Sequence, residues 1–127
     1  MEALIYLDTH AAAWLYAGRV DLFTARGLRT INEEDLTISP AVVLELEYLR
    51  EIGRLAVGGN AITQGLSAQL GLSVCDRPFA AVVEAALDQD WTRDPFDRLI
   101  VGQAALSGST LLTKDQTIRS HYRNAAW

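Results

Sequence analysis

The sequence predicts an α/β fold with a mainly parallel central sheet. Three observations point there. Four short runs, "ALIYL", "LTIS", "LSVC" and "STLLT", read as strands, and the first is continuously apolar, as a strand covered on both faces must be. Helical patterns fill the intervals between them, and the resulting alternation is the signature of parallel strands joined by helices. The chain has 127 residues, half of them hydrophobic, which is enough for one domain over residues 1–127 with its own core.

The elements follow in order. Residues 3–7 form the first strand. A helix starts at Thr9, has Ala11 to Leu15 as its body and stops at Gly18. A second helix is expected from about Asp21 to Ile31, then a strand from Leu36 to Ser39. Ser39-Pro40 is a cap followed by proline at the first helical position, and the long helix it opens is expected to reach about Leu55. Gly58-Gly59 breaks the chain before a helix over Ala61–Leu70. Leu72–Cys75 is the third strand, and Pro78 opens a helix through Leu87. Asp94-Pro95 repeats the cap-plus-proline signal for a helix from Pro95 to Leu106. Ser109–Thr113 is the fourth strand, and Gln116–His121 a short last helix. Sheets of this kind bind ligands at the carboxyl ends of their strands.

Composition narrows the function. The net charge of −5 argues against a broad nucleic-acid-binding face. The eleven basic residues are arginines except Lys114, and arginine is the better fork for phosphates and carboxylates. No apolar run approaches the ~20 residues of a membrane span. Acids at positions 2 and 8 argue against a signal peptide at the N-terminus. A single cysteine, Cys75, leaves no partner for an internal disulfide and fits a reducing cytoplasm; its apolar neighbours mark it as a small core residue.

The acids are the informative residues. Asp8 ends the first strand and Asp115 follows the fourth, so both belong to the carboxyl edge of the sheet. Glu45 lies on the long helix. At 100° per residue, Ile52, Leu49, Ala41, Val42 and Tyr48 all fall within ~60° of it, whereas Glu47, Arg50, Glu51 and Arg54 cluster at the opposite pole. A charge in the middle of an apolar stripe costs several kcal/mol unless it is paired or bound to a cation. Asp97 occupies the third helical position, directly ahead of Leu99, Ile100 and Val101. It is either an acid favoured by the helix dipole or a group aimed at something shared. Asp94 is explained as an N-cap, with a direct part in the site left open.

Asp8, Glu45, Asp97 and Asp115, with Asp94 nearby, are therefore expected to converge. Clustered like charges need a compensating cation. An all-oxygen donor set selects Mg²⁺, with Mn²⁺ as a substitute, over zinc. Such a cation is the equipment for phosphodiester hydrolysis. His10 fits a capping or supporting role better than a catalytic one, and His121 is expected to be exposed.

Four segments, "YLDTHAAAWLYAG", "ISPAVVLELEYLREIGRL", "RDPFDRLIVGQA" and "TLLTKDQTIRSHY", resemble the PIN domain nucleases, and more narrowly the VapC-type toxins of toxin–antitoxin pairs. The match spans essentially the whole chain and places family acids at Asp8, Glu45, Asp97 and Asp115. The resemblance implies a three-layer α/β fold, Mg²⁺-dependent endoribonuclease activity, a homodimer and inhibition by a cognate antitoxin. Two departures are visible. Relatives often carry histidine where this chain has Thr92, and alanine where it has Gly102.

Two other functional classes use some of the same residues. A haloacid-dehalogenase-like phosphatase would use Asp8 as nucleophile, but needs a second acid where His10 stands. A non-catalytic binding module would be signalled by loss of an acid, and all four are present. For the partner, the first helix is apolar on all sides. Part of it, with Trp14, is expected to line a groove beside Asp8, where an inhibitor helix could insert an arginine or lysine among the acids.

Overall fold

A computed structural model describes residues 4–127. Ala3, expected to open the first strand, and the N-terminal acid at position 2 lie outside them. Five strands, β1 (Leu4–Leu7), β2 (Asp35–Ile38), β3 (Ser73–Val74), β4 (Leu111–Leu112) and β5 (Ala125–Ala126), form one sheet in the order β3-β2-β1-β4-β5, with every pairing parallel. The helices are α1 (Thr9–Tyr16), α2 (Ala25–Glu33), α3 (Pro40–Glu51), α4 (Gly59–Leu70), α5 (Phe79–Leu87), α6 (Pro95–Leu106) and α7 (Gln116–His121).

Ile5, Tyr6 and Leu7 are consecutive and all buried, as are Leu36, Thr37 and Ile38. Successive strand side chains point to opposite faces, so helices must cover both faces of the sheet. The chain runs from the central β1 outward through β2 to β3, then crosses back to β4 and β5 on the other side. The direction reverses between β1 and β4, where Leu7 registers with Leu112 and the Asp8 amide donates to the Leu112 carbonyl at 3.1 Å. This is the topological switch point, the crevice where sheets of this class hold their ligands.

Helix α4 begins at Gly59 instead of Ala61, and three larger differences, two in helices and one in a strand, have physical reasons. The helix expected over Asp21–Ile31 is split. A 3₁₀ turn at Val20–Leu22 ends in extended, buried Phe23, and α2 restarts because the Thr24 hydroxyl accepts from the Gly27 amide at 3.0 Å. The long helix stops at Glu51 instead of Leu55. Gly53 turns the backbone left-handed (φ 80°), and the Arg54 amide folds back onto the Leu49 carbonyl at 2.8 Å. Strand β5 was not anticipated, because two alanines carry no strand signal of their own; β5 exists through its pairing with Leu111 and Leu112.

The departure at Gly102 has a packing reason. A Cβ there would lie 2.8 Å from the Ala86 nitrogen, so the glycine lets α6 press directly against the α5 backbone. That contact fixes the height of α6, and with it the position of Asp97.

Helix α3 carries two apolar stripes where the helical wheel suggested one. Val42, Leu46 and Leu49 are buried, whereas Leu44, Tyr48 and Ile52, spaced four residues apart, are exposed. Tyr48 and Ile52 are therefore not core residues. Glu45 sits on the seam between the stripes, half-buried, and not in the middle of a buried face.

Candidate active site

Asp8, Glu45, Asp94, Asp97 and Asp115 all line one open cavity of about 520 Å³, together with His10, Trp14 and Lys114. The fold brings all five predicted acids together. Each arrives by its own local device. Asp8 follows β1 and N-caps α1, accepting from the Thr9 amide at 2.8 Å. Asp94 N-caps α6, with one oxygen accepting from the Phe96 and Asp97 amides at 2.8 and 3.2 Å. Asp115 N-caps α7 in the same way, through the Thr117 and Ile118 amides at 2.8 and 3.0 Å. Capping and charge placement thus coincide: the residue that starts a helix also delivers a carboxylate to the cavity. Asp97, one turn into α6, is half-buried and capped by nothing.

Two buried threonines, outside the set of residues predicted from the sequence, hold the acids in place. The fully buried Thr113 hydroxyl donates to the second Asp8 oxygen at 2.6 Å and accepts from the Asp115 amide at 3.1 Å, so it ties the ends of β1 and β4 together. The buried Thr9 hydroxyl donates to Glu45 at 2.5 Å, linking α1 to α3. The signal available in the sequence was position alone: each threonine lies within two residues of a predicted acid.

The electrostatics follow from burial and crowding. Burial raises the pKa of Asp97 to about 7, and the charges of Asp94, Asp8, Glu45 and Asp115 push the same way. Burial raises Asp8 too, opposed by the Thr113 hydroxyl, the Thr9 amide and His10, and aided by Asp115. Glu45 is raised by burial and by the charges of Asp8 and Asp94, against the Thr9 hydroxyl. Three half-buried or buried carboxyls therefore resist ionisation together, the electrostatic signature of a site that wants a cation.

The donor set limits which cation fits. Among the described residues, no three His, Cys, Asp or Glu side chains stand grouped to enclose an ion. The acids instead ring the cavity, which suits a hard cation that keeps most of its water and takes one or two carboxylates directly. A closed tetrahedral zinc site is not formed.

His10 is exposed at the cavity rim, its ring 5.7 Å from Trp14. Trp14 is half-buried against Phe23 and Trp127, at 6.3 and 5.8 Å between ring centres. With His10, one turn earlier on α1, it lines the cavity beside Asp8; the rest of the helix does not, because Ala11, Ala12 and Ala13 are core and Tyr16 packs beside Gly65 of α4. His121 is exposed, as expected, and stacks on Trp91. Thr92, in the place where relatives carry histidine, accepts from the Asp94 amide at 3.2 Å.

Comparison with known proteins agrees with this geometry. The PIN domain family model matches residues 5–124. Ribonuclease VapC22 of Mycobacterium tuberculosis is 32% identical over 119 residues, spanning 92% of this chain and 91% of that protein. Among solved structures, VapBC2 of Rickettsia felis bound to a promoter DNA fragment superposes with a TM-score of 0.65 at 18% identity, covering 96% of this chain and 95% of that one. PAE2754 of Pyrobaculum aerophilum superposes with a TM-score of 0.60 at 21% identity, over 99% and 91% of the two chains. These two likenesses are of fold; family membership rests on the family model and the VapC22 match. With the acids assembled at the switch point of a five-stranded parallel sheet, the chain belongs to the PIN domain family, as a VapC-type member.

Proposed function

We propose that this chain is a Mg²⁺-dependent endoribonuclease acting in the cytoplasm as the toxin of a toxin–antitoxin pair. The observation that carries the reading is the convergence of Asp8, Glu45, Asp97 and Asp115 on one cavity, with the Asp97 carboxyl at about 7. These four would share the cation, one or two directly and the others through its bound water, and Asp94 would add its charge while starting the helix that aims Asp97. Bound there, Mg²⁺ or Mn²⁺ would neutralise charge developing on a phosphate and make water acidic enough to attack it at neutral pH. The protein's own part is positional. Thr113 and Thr9 hold the carboxylates of Asp8 and Glu45 by hydrogen bonds, and the Asp94 cap starts the helix that carries Asp97 to the cavity.

The antitoxin of this reading presents an arginine or lysine to the acids beside Trp14, relieving the repulsion that the metal otherwise relieves. The homodimer has its own support. Exposed Leu44 of α3 and exposed Phe79 of α5 line one apolar cleft with Val82, Phe96 and Leu99, and exposed Tyr48 lies against Phe96, 6.1 Å between ring centres. A patch of this kind is covered in stable proteins. Light scattering should give twice the chain mass; the mass of one chain would remove the dimer.

The deciding experiment is cleavage of single-stranded RNA by the purified chain. Mg²⁺ or Mn²⁺ should support cleavage and EDTA should abolish it. Cleavage unchanged in excess chelator overturns the mechanism.

A further inference from the structure

Beyond the acidic cavity, the elements that carry Asp94 and Asp115 meet a second time. The loop before α6 contributes Trp91, and the last residue of α7 is His121. Their rings stack face to face, 4.9 Å apart with an interplanar angle of 6°. Both rings are fixed. The Trp91 indole donates to the Gln89 side chain at 2.8 Å and packs against the core. The His121 Nδ1–H donates to the Thr117 carbonyl at 2.9 Å. His121 is exposed, and among the described residues no ring other than Trp91 pairs with it.

Cations on the same loop and helix as the stack, and at the cavity wall, are not neutralised. The Arg93 guanidinium donates to the Asp90 carbonyl at 2.9 Å, and that of Arg119 to the Lys114 carbonyl at 3.1 Å. Lys114 lies 5.8 Å over the Trp14 ring at the cavity wall. None of the three has a carboxylate partner among the described residues, where the ion pairs are Arg19–Asp21 and Arg50–Glu47. Two of them are pinned by backbone carbonyls, which restrain the side chain without cancelling its charge.

We propose that the Trp91–His121 stack is a base-stacking platform. On this proposal a nucleobase of a single-stranded RNA continues the stack on the outer face of His121, while Lys114, Arg119 and Arg93 take the phosphates between that base and the acidic cavity. The proposal rests on the ribonuclease reading for its ligand. Aromatic rings together with free cations hold single strands through stacking and charge. The six residues of α7 separate the Asp115 cap from His121 by about 9 Å, a distance that neighbouring nucleotides of one strand bridge. Double-stranded substrate would be rejected, because its bases are not free to stack on a side chain.

The test measures binding and not cleavage, so it is separable from the activity. Asp97→Asn protein is titrated with a fluorescent single-stranded oligoribonucleotide of about ten nucleotides. Adding His121→Ala should weaken binding about tenfold, and His121→Phe, which keeps a flat ring, should restore most of it. Replacing the bases of the probe by abasic ribose should erase the difference between His121 and alanine. The proposal is overturned if His121→Ala binds like its parent, if phenylalanine fails to rescue in a variant with unchanged melting temperature, if the abasic probe keeps the dependence, or if no RNA binds. It is also overturned if His121 matters to a bound protein partner and not to RNA. If the wild-type chain cleaves nothing yet binds RNA through His121, the nuclease reading falls and the platform stands.

Discussion

Replacing Asp97 by asparagine should abolish RNA cleavage and make the metal-free protein more stable at alkaline pH. The folded Asp97 carboxyl titrates near 7, above its ordinary 3.8, because it is half-buried and faces four other acids. The fold therefore holds this proton more tightly than the unfolded chain does. The associated stability is fully present below about pH 4 and is lost as pH rises through 7. Taken at face value the displacement corresponds to about 4 kcal/mol; screening at a half-exposed group reduces this to about 1–2 kcal/mol. Asp97→Asn should thus gain about 1–2 kcal/mol at pH 8 in chelator and nothing at pH 4, while activity falls on the order of 10³-fold. Added Mg²⁺ should stabilise the wild type and not the variant. Denaturant melts at the two pH values decide it. A variant less stable than wild type at pH 8 would make Asp97 a structural acid.

Thr113→Val should damage both stability and activity without touching a carboxylate. Valine preserves the shape but leaves Asp8 without its 2.6 Å donor and the Asp115 amide without its acceptor, at a side chain that is itself fully buried. The expected loss is about 1–3 kcal/mol. It should be larger at pH 8 than at pH 4, because the hydroxyl supports the ionised form of Asp8. Activity should fall about 10–100-fold, the usual consequence of losing a group that orients a ligand. Thr113→Ser keeps the hydroxyl and should recover most of the activity. Thr113→Val at wild-type activity, or Thr113→Ser as inactive as valine, would show that the bridge does not position the site.

Most of the site was legible in the sequence because its acids are attached to local signals. Asp8 and Asp115 close strand-like runs, and Asp94-Pro95 is a helix start recognisable from two residues. Glu45 stands out as a charge among apolar residues, and the structure places it at the acidic cavity, although the picture that singled it out is partly wrong. The apolar arc around it is real, but half of it is outward-facing and exposed, because a helical wheel records spacing and not which side meets the sheet.

By itself, the sequence determined the α/β class, the order of the first four strands, the starts of α3 and α6, and which acids to watch. Those features depend on residues a few positions apart, where capping, proline and periodicity act through local geometry. Tertiary structure alone decided that β4 lies beside β1, which opens the crevice between Asp8 and Asp115, and that two alanines near the C-terminus become β5. It also decided that Thr113 reaches a carboxylate 105 positions away and that Trp91 meets His121. Such pairings are set by how helices cover a sheet and by which buried polar groups find partners there. No short stretch of the chain encodes them, because the free energy that selects them comes from burial shared among distant segments.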